Sequence, residues 1–530
     1  MCGIFAYLYS RSSESQSDLS KIVQQAMLSQ HRGPDNTVVQ NNTKHTFVFH
    51  RLSINDPSPS GNQPLESNGN LLICNGEIYN HKELCAKYNF ECLSGSDCEV
   101  ILHMFSKFGI ERTVQELDGV FAFVLYDSAA DKYYVARDAI GVRSLYIGQT
   151  TNGDVLFASE LKSIHNLVDH AELFPPGTYL QLYMSEPHLL QFEPWYHFSY
   201  PIERKSEDVL MTSCRELLSA AVKKRMMSDR PIGCFLSGGL DSSIVTALVV
   251  QNFEEPSNLH TFSIGMKGST DLVYARKVAD YLKTTHHEII VSKEEMLGAI
   301  PEVVRLIESF DTTTVRASTP MYLLSKWIQK NSDIAVVFSG EGSDELSGSY
   351  MYFHNAPSPE AFQTETVRLI KDLHYFDVLR CDKSTASAGL EARVPFLDKA
   401  FVQQYMSVPP EIRMPRNKVE KYFLRKMFED YLPHEIVWRT KEAFSDGVSS
   451  IEDSWFSTIQ TFVENHCTDE QLELCKKVYS LPPQMKESAY YRMLFEKHYS
   501  NRGNTVPYYW LPKWSGDVVN PSARVLDVYT

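Results

Sequence analysis

Long apolar segments are missing from this chain of 530 residues. No run of about 18 apolar residues occurs, so no transmembrane helix is expected. No basic segment followed by an apolar core opens the chain, which argues against a cleaved secretory signal. Internal repeats and low-complexity tracts are absent as well. These absences predict a globular protein of the cytoplasm.

A surplus of basic charge is also missing. The formal net charge is −15 and the isoelectric point is about 5.6, so no electrostatic footprint for nucleic acid or an anionic membrane is present. The ten cysteines form no Cys-x-x-Cys pair, and no histidine stands at zinc-finger spacing from them. A reducing compartment with mostly buried thiols is the simplest interpretation.

The composition is that of a soluble globular protein, with 43% hydrophobic and 22% charged residues. Because single cores stop growing beyond about 250–300 residues, two or three domains are expected. Up to about residue 185 the pattern is strand-rich. It predicts strands at 46–49, 71–74, 120–126, 133–136 and 155–158, and helices at 19–30 and 97–108. A layered α+β domain over 2–185 follows, with a polar boundary at 186–205.

From residue 207 to the end at 530, strands alternate with helices. The predicted strands are 232–236, 261–264, 287–291 and 334–338, and the first helices are 209–226, 243–251 and 272–282. This alternation favours an α/β domain with a parallel sheet, in which ligands collect at the carboxyl ends of the strands. From about residue 357 the pattern is mostly helical.

Cys2, directly behind the initiator methionine, is the first candidate catalytic residue. If the methionine is removed, the thiol and a free α-amine lie in one residue, which supplies both a nucleophile and its base. The plainer interpretation is a small buried hydrophobe. The apolar segment that follows reads as a strand, which would hold the terminus in place.

Three polar clusters follow apolar runs, at residues 31–35, 50–54 and 75–80. With Cys2 they resemble the class II glutamine amidotransferases, and the resemblance covers about the first third of the chain. It implies an Ntn-type αββα sandwich in which Cys2 attacks the side-chain amide of glutamine. It assigns glutamine binding to Arg51, Leu52, Ile54, Asn75, Gly76, Glu77 and Asp97.

The residue types suit these roles. Arg51 offers a planar fork to a carboxylate, and Glu77 and Asp97 offer carboxylates to an ammonium group. The amide of Asn75 and the N–H of Gly76 could stabilise an oxyanion. Taken alone, Asn-Gly more often marks a hairpin turn, and this alternative stays open.

A second centre follows the strand at 232–236, where Ser237, Gly238, Gly239, Asp241 and Ser242 lead into a helix. Two glycines permit a tight turn, so that backbone N–H groups converge on an anion. The loop lacks the lysine of the Walker A motif and suits a departing pyrophosphate. An ordinary serine-capped connection is the alternative.

The strand at 334–338 ends in a matching loop that contains Ser339, Gly340, Glu341, Asp344 and Glu345. Three carboxylates in five residues repel one another unless a cation lies among them. Mg²⁺ on ATP phosphates is the natural candidate, with Asp241 and Asp344 each giving one oxygen ligand. A solvated acidic loop is the alternative.

Together the two loops resemble the ATP-pyrophosphatase domain of asparagine synthetases, and the combined resemblance covers nearly the whole chain. It implies ATP binding by Leu236, Ser237, Gly238, Gly239, Asp241, Ser242, Ile264, Ser339 and Gly340. It implies catalytic roles for Glu341 and Lys421 beside Cys2, Asn75 and Gly76, and aspartate contacts by Arg316 and Arg393. Ser144 and Ser349 depart from the family's usual proline and glycine, and neither is expected to touch a catalytic group.

The expected reaction is glutamine-dependent asparagine synthesis through a β-aspartyl-AMP intermediate, with ATP, L-aspartate and L-glutamine as substrates. The resemblance implies an internal route for ammonia and a homodimer. A β-lactam-forming synthetase of the same architecture is the first alternative, although it would need no glutaminase. A transferase to a sugar or phosphoribosyl acceptor would lack the loop at 237–242. A non-catalytic protein would have no need of Cys2, Asp241, Glu341 and Asp344.

Overall fold

The computed structural model describes residues 1–10, 18–186, 190–450 and 454–522. The chain divides into two compact units. The first comprises 1–197 with the short segments 227–230 and 385–391, and the second comprises the rest. The predicted domains, 2–185 and 207–530, do not include the two short segments in the first. Among the described residues, no helix is both long and apolar enough to span a membrane.

Two antiparallel six-stranded sheets build the first unit. One has the order β10-β8-β9-β1-β3-β2 and the other β12-β11-β7-β6-β5-β4. The strands are β1 Gly3–Leu8, β2 Asn36–Asn41, β3 His45–Arg51, β4 Leu65–Ser67, β5 Asn70–Ile78, β6 Gly119–Asp127, β7 Lys132–Arg137, β8 Tyr146–Gln149, β9 Val155–Ala158, β10 His170–Leu173, β11 Thr178–Leu182 and β12 Phe192–Pro194.

The core between these sheets follows from the alternation of side chains along each strand. Ile4, Ala6 and Leu8 of β1 point to one face and meet Ile73 and Val124 from the other sheet. The opposite face of the second sheet packs on helices. The helices of this unit are α1 Leu19–Ala26, α2 His81–Tyr88 and α3 Glu99–Glu116, with 3₁₀ turns at Met27–Arg32, Pro59–Gly61 and Leu161–Ser163. This is the layered α+β arrangement that the sequence predicts.

The second unit is built on a sheet of order β15-β14-β13-β16-β17. The pairs β13–β14, β14–β15 and β13–β16 are parallel, as predicted. The strands are β13 Ile232–Phe235, β14 His260–Gly265, β15 Thr285–Ile290, β16 Val336–Phe338 and β17 Glu391–Arg393. The last strand was not predicted, because three residues carry no readable period.

Helices flank this sheet and form the remainder of the chain. They are α4 Glu207–Lys224, α5 Leu240–Val250, α6 Thr270–Leu282, α7 Lys293–Ile307, α8 Thr312–Asn331, α9 Ser343–Ser347, α10 Pro359–Asp372, α11 Asp377–Ala386, α12 Lys399–Met406, α13 Pro410–Arg413, α14 Tyr422–Met427, α15 His434–Val437, α16 Phe444–Gly447, α17 Trp455–Glu464, α18 Asp469–Val478 and α19 Lys486–His498. Strand β13 runs directly into the loop before α5, which places that loop at the carboxyl end of the sheet.

Two local predictions differ from the structure. Asn75 and Gly76 lie inside β5, opposite Ala122 and Phe121 of β6, so the hairpin alternative is wrong. A side chain at Gly76 would place its Cβ 2.5 Å from the Val120 carbonyl oxygen, which explains the glycine by close approach of the backbone. The predicted helix 97–108 begins two residues later, and a further helical stretch runs to 116 across a kink at Gly109, whose φ of +78° is not helical.

Two candidate active sites

Cys2 stands immediately before β1, the strand that pairs with β3 on one side and β9 on the other. A strand held on both sides cannot fray, so the start of the chain is fixed as predicted. The Cys2 thiol lies 3.7 Å from the carbonyl oxygen of Leu52. Leu52 and Ile54, both predicted to bind glutamine, are buried in the segment after β3.

Arg32 positions the backbone of Cys2. Its Nε donates to the Cys2 carbonyl at 3.0 Å, and its Nη1 lies 2.5 Å from Glu160 Oε1. The Glu160 carboxylate also pairs with Lys162. All three charged side chains are buried, so the ion pairs compensate for lost hydration. The sequence contained Arg32 in its first polar cluster without indicating this role.

Burial governs the two titratable groups at the start of the chain. Burial lowers the pKa of the Met1 α-amine to about 6, so an amine here is mostly neutral at pH 7. Burial raises the pKa of the Cys2 thiol to about 11, and the nearby amino terminus only partly opposes this. With Met1 attached, the thiol is therefore protonated at pH 7 and needs a base.

Asn75 is fully buried on β5, and among the described residues neither its amide oxygen nor its amide nitrogen has a hydrogen-bond partner. Leaving a buried polar group unpaired costs about 1–3 kcal/mol. Such a residue is expected where the amide is kept for a ligand.

The guanidinium of Arg51, predicted to bind the substrate's carboxylate, makes hydrogen bonds to the loop that follows β3. Nη1 donates to the Ser58 carbonyl at 2.6 Å and to Asn62 Oδ1 at 2.8 Å, and Nη2 donates to the Asp56 carbonyl. The loop after β3 is therefore shaped around the guanidinium. In this arrangement Arg51 orders the loop beside Leu52 and Ile54.

Glu77 and Asp97, both predicted to bind the substrate's ammonium group, lie on either side of one side chain. Glu77 comes from β5, and Asp97 lies two residues before α3. Asn55 joins them, because its Nδ2 donates to Glu77 Oε2 at 2.6 Å and to Asp97 Oδ1 at 3.2 Å. Both carboxylates are buried, and burial raises the pKa of Asp97. Two buried acids attract a cationic group. The sequence reasoning missed Asn55, which stands next to the predicted Ile54.

The second site is a cavity of about 240 Å³ within the second unit. Most of the residues predicted to bind ATP or carry out its chemistry line this cavity: Leu236, Ser237, Gly239, Asp241, Ser242, Ile264, Ser339, Gly340, Glu341, Asp344 and Lys421. They come from the carboxyl ends of β13, β14 and β16 and from the segment before α14. This is the edge of a parallel sheet where ligands bind.

Gly238 does not line the cavity but shapes the loop that does. Its φ is +70°, and a Cβ there would lie 2.4 Å from the Ala275 nitrogen, so only glycine fits. Ser237 and Ser242 hold the turn, with their hydroxyl oxygens 3.1 Å apart. No side chain caps α5, so the first N–H groups of this helix face the loop.

Four charged side chains meet at the acidic end of the cavity. Lys421 Nζ lies 2.6 Å from Asp241 Oδ2 and 2.6 Å from Asp344 Oδ1. Lys441 Nζ lies 2.7 Å from Asp344 Oδ2. Burial alone would raise the pKa of Asp344, but the two lysines lower it well below its usual value. Asp241 and Asp344, predicted to ligate Mg²⁺, both contact the ammonium of Lys421, and Lys441 Nζ also lies 3.9 Å from Asp241 Oδ2.

Glu341 is held by an arginine that the sequence did not indicate. Its Oε2 lies 2.7 Å from Arg380 Nη2, and the same nitrogen lies 2.6 Å from Asp377 Oδ1. Burial raises the pKa of Glu341 to about 7, with Arg380 opposing and Asp377 adding to the rise. A carboxyl group poised near neutrality is typical of a functional site.

Comparison with known proteins shows the family. A model of the glutamine amidotransferase domain matches residues 1–191, and a model of asparagine synthase matches 213–360 and 355–515. The chain is 44% identical to "Asparagine synthetase [glutamine-hydrolyzing]" of Cricetulus griseus, covering 100% of this chain and 99% of that protein. Proteins of the same name from Gallus gallus and Homo sapiens are 45% and 44% identical, with the same coverage. The chain belongs to the glutamine-hydrolysing asparagine synthetases.

Membership in the asparagine synthetases confirms the predicted class of enzyme, a glutamine-dependent carbon–nitrogen ligase, and the predicted order of an amidotransferase domain and an ATP-using synthase domain. The role of each individual residue is argued from the geometry of this chain.

Arg316 and Arg393 were predicted to contact aspartate. Arg316 lines the cavity, but its Nε lies 2.7 Å from Glu487 Oε1 and its Nη2 2.5 Å from Glu487 Oε2. Arg393 is fully buried, donates to the Arg225 carbonyl, and does not line the cavity. Neither guanidinium is therefore presented to the cavity as a ready carboxylate clamp.

Ser349 was expected to stay clear of catalytic groups, and that expectation is wrong. Its hydroxyl donates to Asp344 Oδ1, the same oxygen that Lys421 contacts. A glycine at this position would leave Asp344 without that donor. Ser144, the other departure, donates to the Ser159 carbonyl at 2.8 Å, a local contact as expected.

Proposed function

We propose that the first unit hydrolyses the side-chain amide of glutamine with Cys2 as nucleophile. The observation that carries this is Asn75, whose buried amide has no hydrogen-bond partner among the described residues and so stands ready for an oxyanion. Once Met1 is removed, the α-amine of Cys2 serves as base. The low pKa of the Met1 amine in this buried region supports a neutral amine there at pH 7.

The substrate's charged ends set its orientation in this proposal. Glu77 and Asp97, joined by Asn55, take the α-ammonium group, because two buried carboxylates concentrate negative charge around Asn55. Arg51 and its loop, with Leu52 and Ile54, form the wall that faces the substrate's carboxylate. The thiol gives its proton to the α-amine and attacks the amide carbon; the C–N bond breaks, ammonia leaves with that proton, and a thioester to Cys2 remains. Water then hydrolyses the thioester, which releases glutamate and restores the thiol.

We propose that the second unit activates aspartate at the cavity between the strand ends. A β-carboxylate oxygen attacks the α-phosphorus of ATP, the bond to the bridging oxygen breaks, and pyrophosphate leaves. Ammonia then attacks the acyl carbon of β-aspartyl-AMP, and AMP leaves as asparagine forms. The loop at 237–242 and the start of α5 receive the pyrophosphate, and Lys421 with Lys441 offsets its charge as it departs.

Asp241 and Asp344 fit Mg²⁺, since each supplies hard carboxylate oxygens and both lie within reach of one cation, Lys421. Bound there with ATP, Mg²⁺ would neutralise phosphate charge. Glu341 and Arg380 would then hold the aspartate or its adenylate. A cytoplasmic location, an internal route for ammonia and a homodimer belong to this proposal as predictions.

The deciding experiment follows products. Purified chain is incubated with aspartate, MgATP and either glutamine or ammonium, and AMP, pyrophosphate and asparagine are quantified. The proposal requires one AMP and one pyrophosphate for each asparagine. ADP in place of AMP, or turnover that does not depend on aspartate, would contradict it.

A further inference from the structure

Three potential metal ligands lie close together on the helical face of the first unit, and a fourth, Cys85, touches one of them. Cys85 lies on α2, Cys92 in the connection that follows, and Glu99 and His103 on α3. The ligand atoms of Cys92, Glu99 and His103 all lie within 4.8 Å of one another. The Cys85 sulfur lies 3.0 Å from the Cys92 sulfur. The spacing Cys-x₆-Cys-x₁₀-His is not that of a zinc finger, which is why the sequence indicated no site.

The cluster is held in place by its own connections. Glu99 Oε1 accepts from the Leu93 N–H at 2.7 Å, and Oε2 accepts from the Ser94 N–H at 2.7 Å. His103 Nε2 lies 3.3 Å from Glu99 Oε1, one helical turn away. These contacts fix the carboxylate beside the imidazole.

An aromatic ring completes the surroundings. The Phe90 ring stacks on the His103 ring at 5.4 Å between centroids and 23° between planes. Cys85 and Cys92 are half-buried, so an ion could enter from solvent.

The donor set selects the ion. Two sulfurs, an imidazole nitrogen and a carboxylate oxygen suit tetrahedral Zn²⁺, whereas Mg²⁺ and Ca²⁺ take oxygen ligands. We propose that Cys85, Cys92, Glu99 and His103 bind one Zn²⁺ as a structural site. The ion ties α2, its following loop and the first turns of α3 together. Asp97, proposed to bind glutamine, precedes α3 and gains rigidity from this link.

The test uses the full chain, reduced and freed of metal by a chelator. One equivalent of Zn²⁺ is added, bound zinc is counted by mass spectrometry, and affinity is measured by competition with a chromophoric chelator. We expect one zinc per chain and a rise in the thermal midpoint of unfolding. Co²⁺ in place of Zn²⁺ should give the absorption of thiolate-bound cobalt.

Matched variants locate the ion. Cys92→Ser and His103→Gln should each weaken Zn²⁺ binding at least about tenfold, because replacing even a residue that only hydrogen-bonds to a metal ligand lowers the affinity by about that factor. Cys475→Ser and His170→Gln change the same residue types elsewhere and should leave binding unchanged. Fewer than one zinc on the reduced wild-type chain, or equal affinity in all four variants, would overturn the site.

The cobalt spectrum needs no variant, so it decides the question even if a substituted chain does not fold. A disulfide between Cys85 and Cys92 is the competing outcome. Peptide mapping of the freshly purified, unreduced chain would show it as a linked pair. Finding that link in zinc-free protein that fails to take up zinc after reduction would also overturn the proposal.

Discussion

Lys421 Nζ lies 2.6 Å from Asp344 Oδ1, a contact between residues 77 positions apart. Lys421 is buried, and its backbone is left-handed at φ 57°. A non-glycine residue in that region costs about 1 kcal/mol or more, and such strain persists mainly at functional sites. The backbone before α14 is therefore shaped to bring this ammonium to the acidic end of the cavity.

Replacing Lys421 should separate the two chemistries. Lys421→Met leaves Asp241 and Asp344 without their shared cation, and we expect ATP–pyrophosphate exchange and ammonia-dependent synthesis to fall at least about 10²-fold. Glutamine hydrolysis should persist, because its residues lie in the other unit. Lys330→Met, on the exposed face of α8, is the control. Equal exchange in both variants would refute the role of Lys421.

Asn75→Ala should reduce glutamine hydrolysis by about 10²–10³-fold through loss of an oxyanion donor. Ammonia-dependent synthesis should be unchanged. Because Asn75 makes no side-chain hydrogen bond in the described structure, the variant breaks none, and its thermal midpoint should not fall by more than a small cavity explains. Asn152→Ala, at an exposed turn, is the control. A large loss of stability would indicate a structural role instead.

Cys2→Ala should abolish the use of glutamine and keep the use of ammonium, measured as asparagine formed with each nitrogen source. A chain with an uncleaved N-terminal extension should behave alike, since it lacks the free α-amine. Retained glutaminase activity in the extended chain would contradict the amine as base.

Asn55→Ala removes the amide that joins Glu77 to Asp97. We expect the KM for glutamine to rise about tenfold with a smaller change in kcat, because a binding contact is disturbed and the nucleophile is not. Steady-state glutaminase kinetics give both constants. A fall in kcat at constant KM would place Asn55 in the chemical step.

Glu341 predicts a pH dependence of stability in the second unit. Burial raises its pKa in the folded state from the usual 4.5 to about 7, so between these two pH values the folded state keeps a proton that the unfolded state has lost. Stability from this group is present below about pH 4.5 and declines as pH rises towards 7. Glu341→Gln should flatten that decline in thermal midpoints measured from pH 5 to 8. Glu254→Gln, at an exposed position, should not.

The elements that the sequence predicts correctly are those with a strong periodicity of hydrophobic residues. All five predicted strands of the first unit fall within β3, β5, β6, β7 and β9. The predicted helix 19–30 continues as a 3₁₀ turn at Met27–Arg32 after α1 ends, because local pattern does not distinguish the two helix types. The hairpin alternative for Asn75 and Gly76 is wrong, because a glycine within a strand also marks the close approach of a neighbouring backbone.

Residue types at strand ends let the sequence alone identify the chemistry: Cys2, the loop at 237–242 and the acidic loop after β16 each carry a local signature. Tertiary structure alone decided which charges meet. Lys441, Arg380 and Asn55 reach their partners across 97, 39 and 22 positions respectively. The cluster of Cys92, Glu99 and His103 likewise forms only because α3 packs back beside its preceding loop. Electrostatic partners are chosen by distance in space, which a local pattern does not encode.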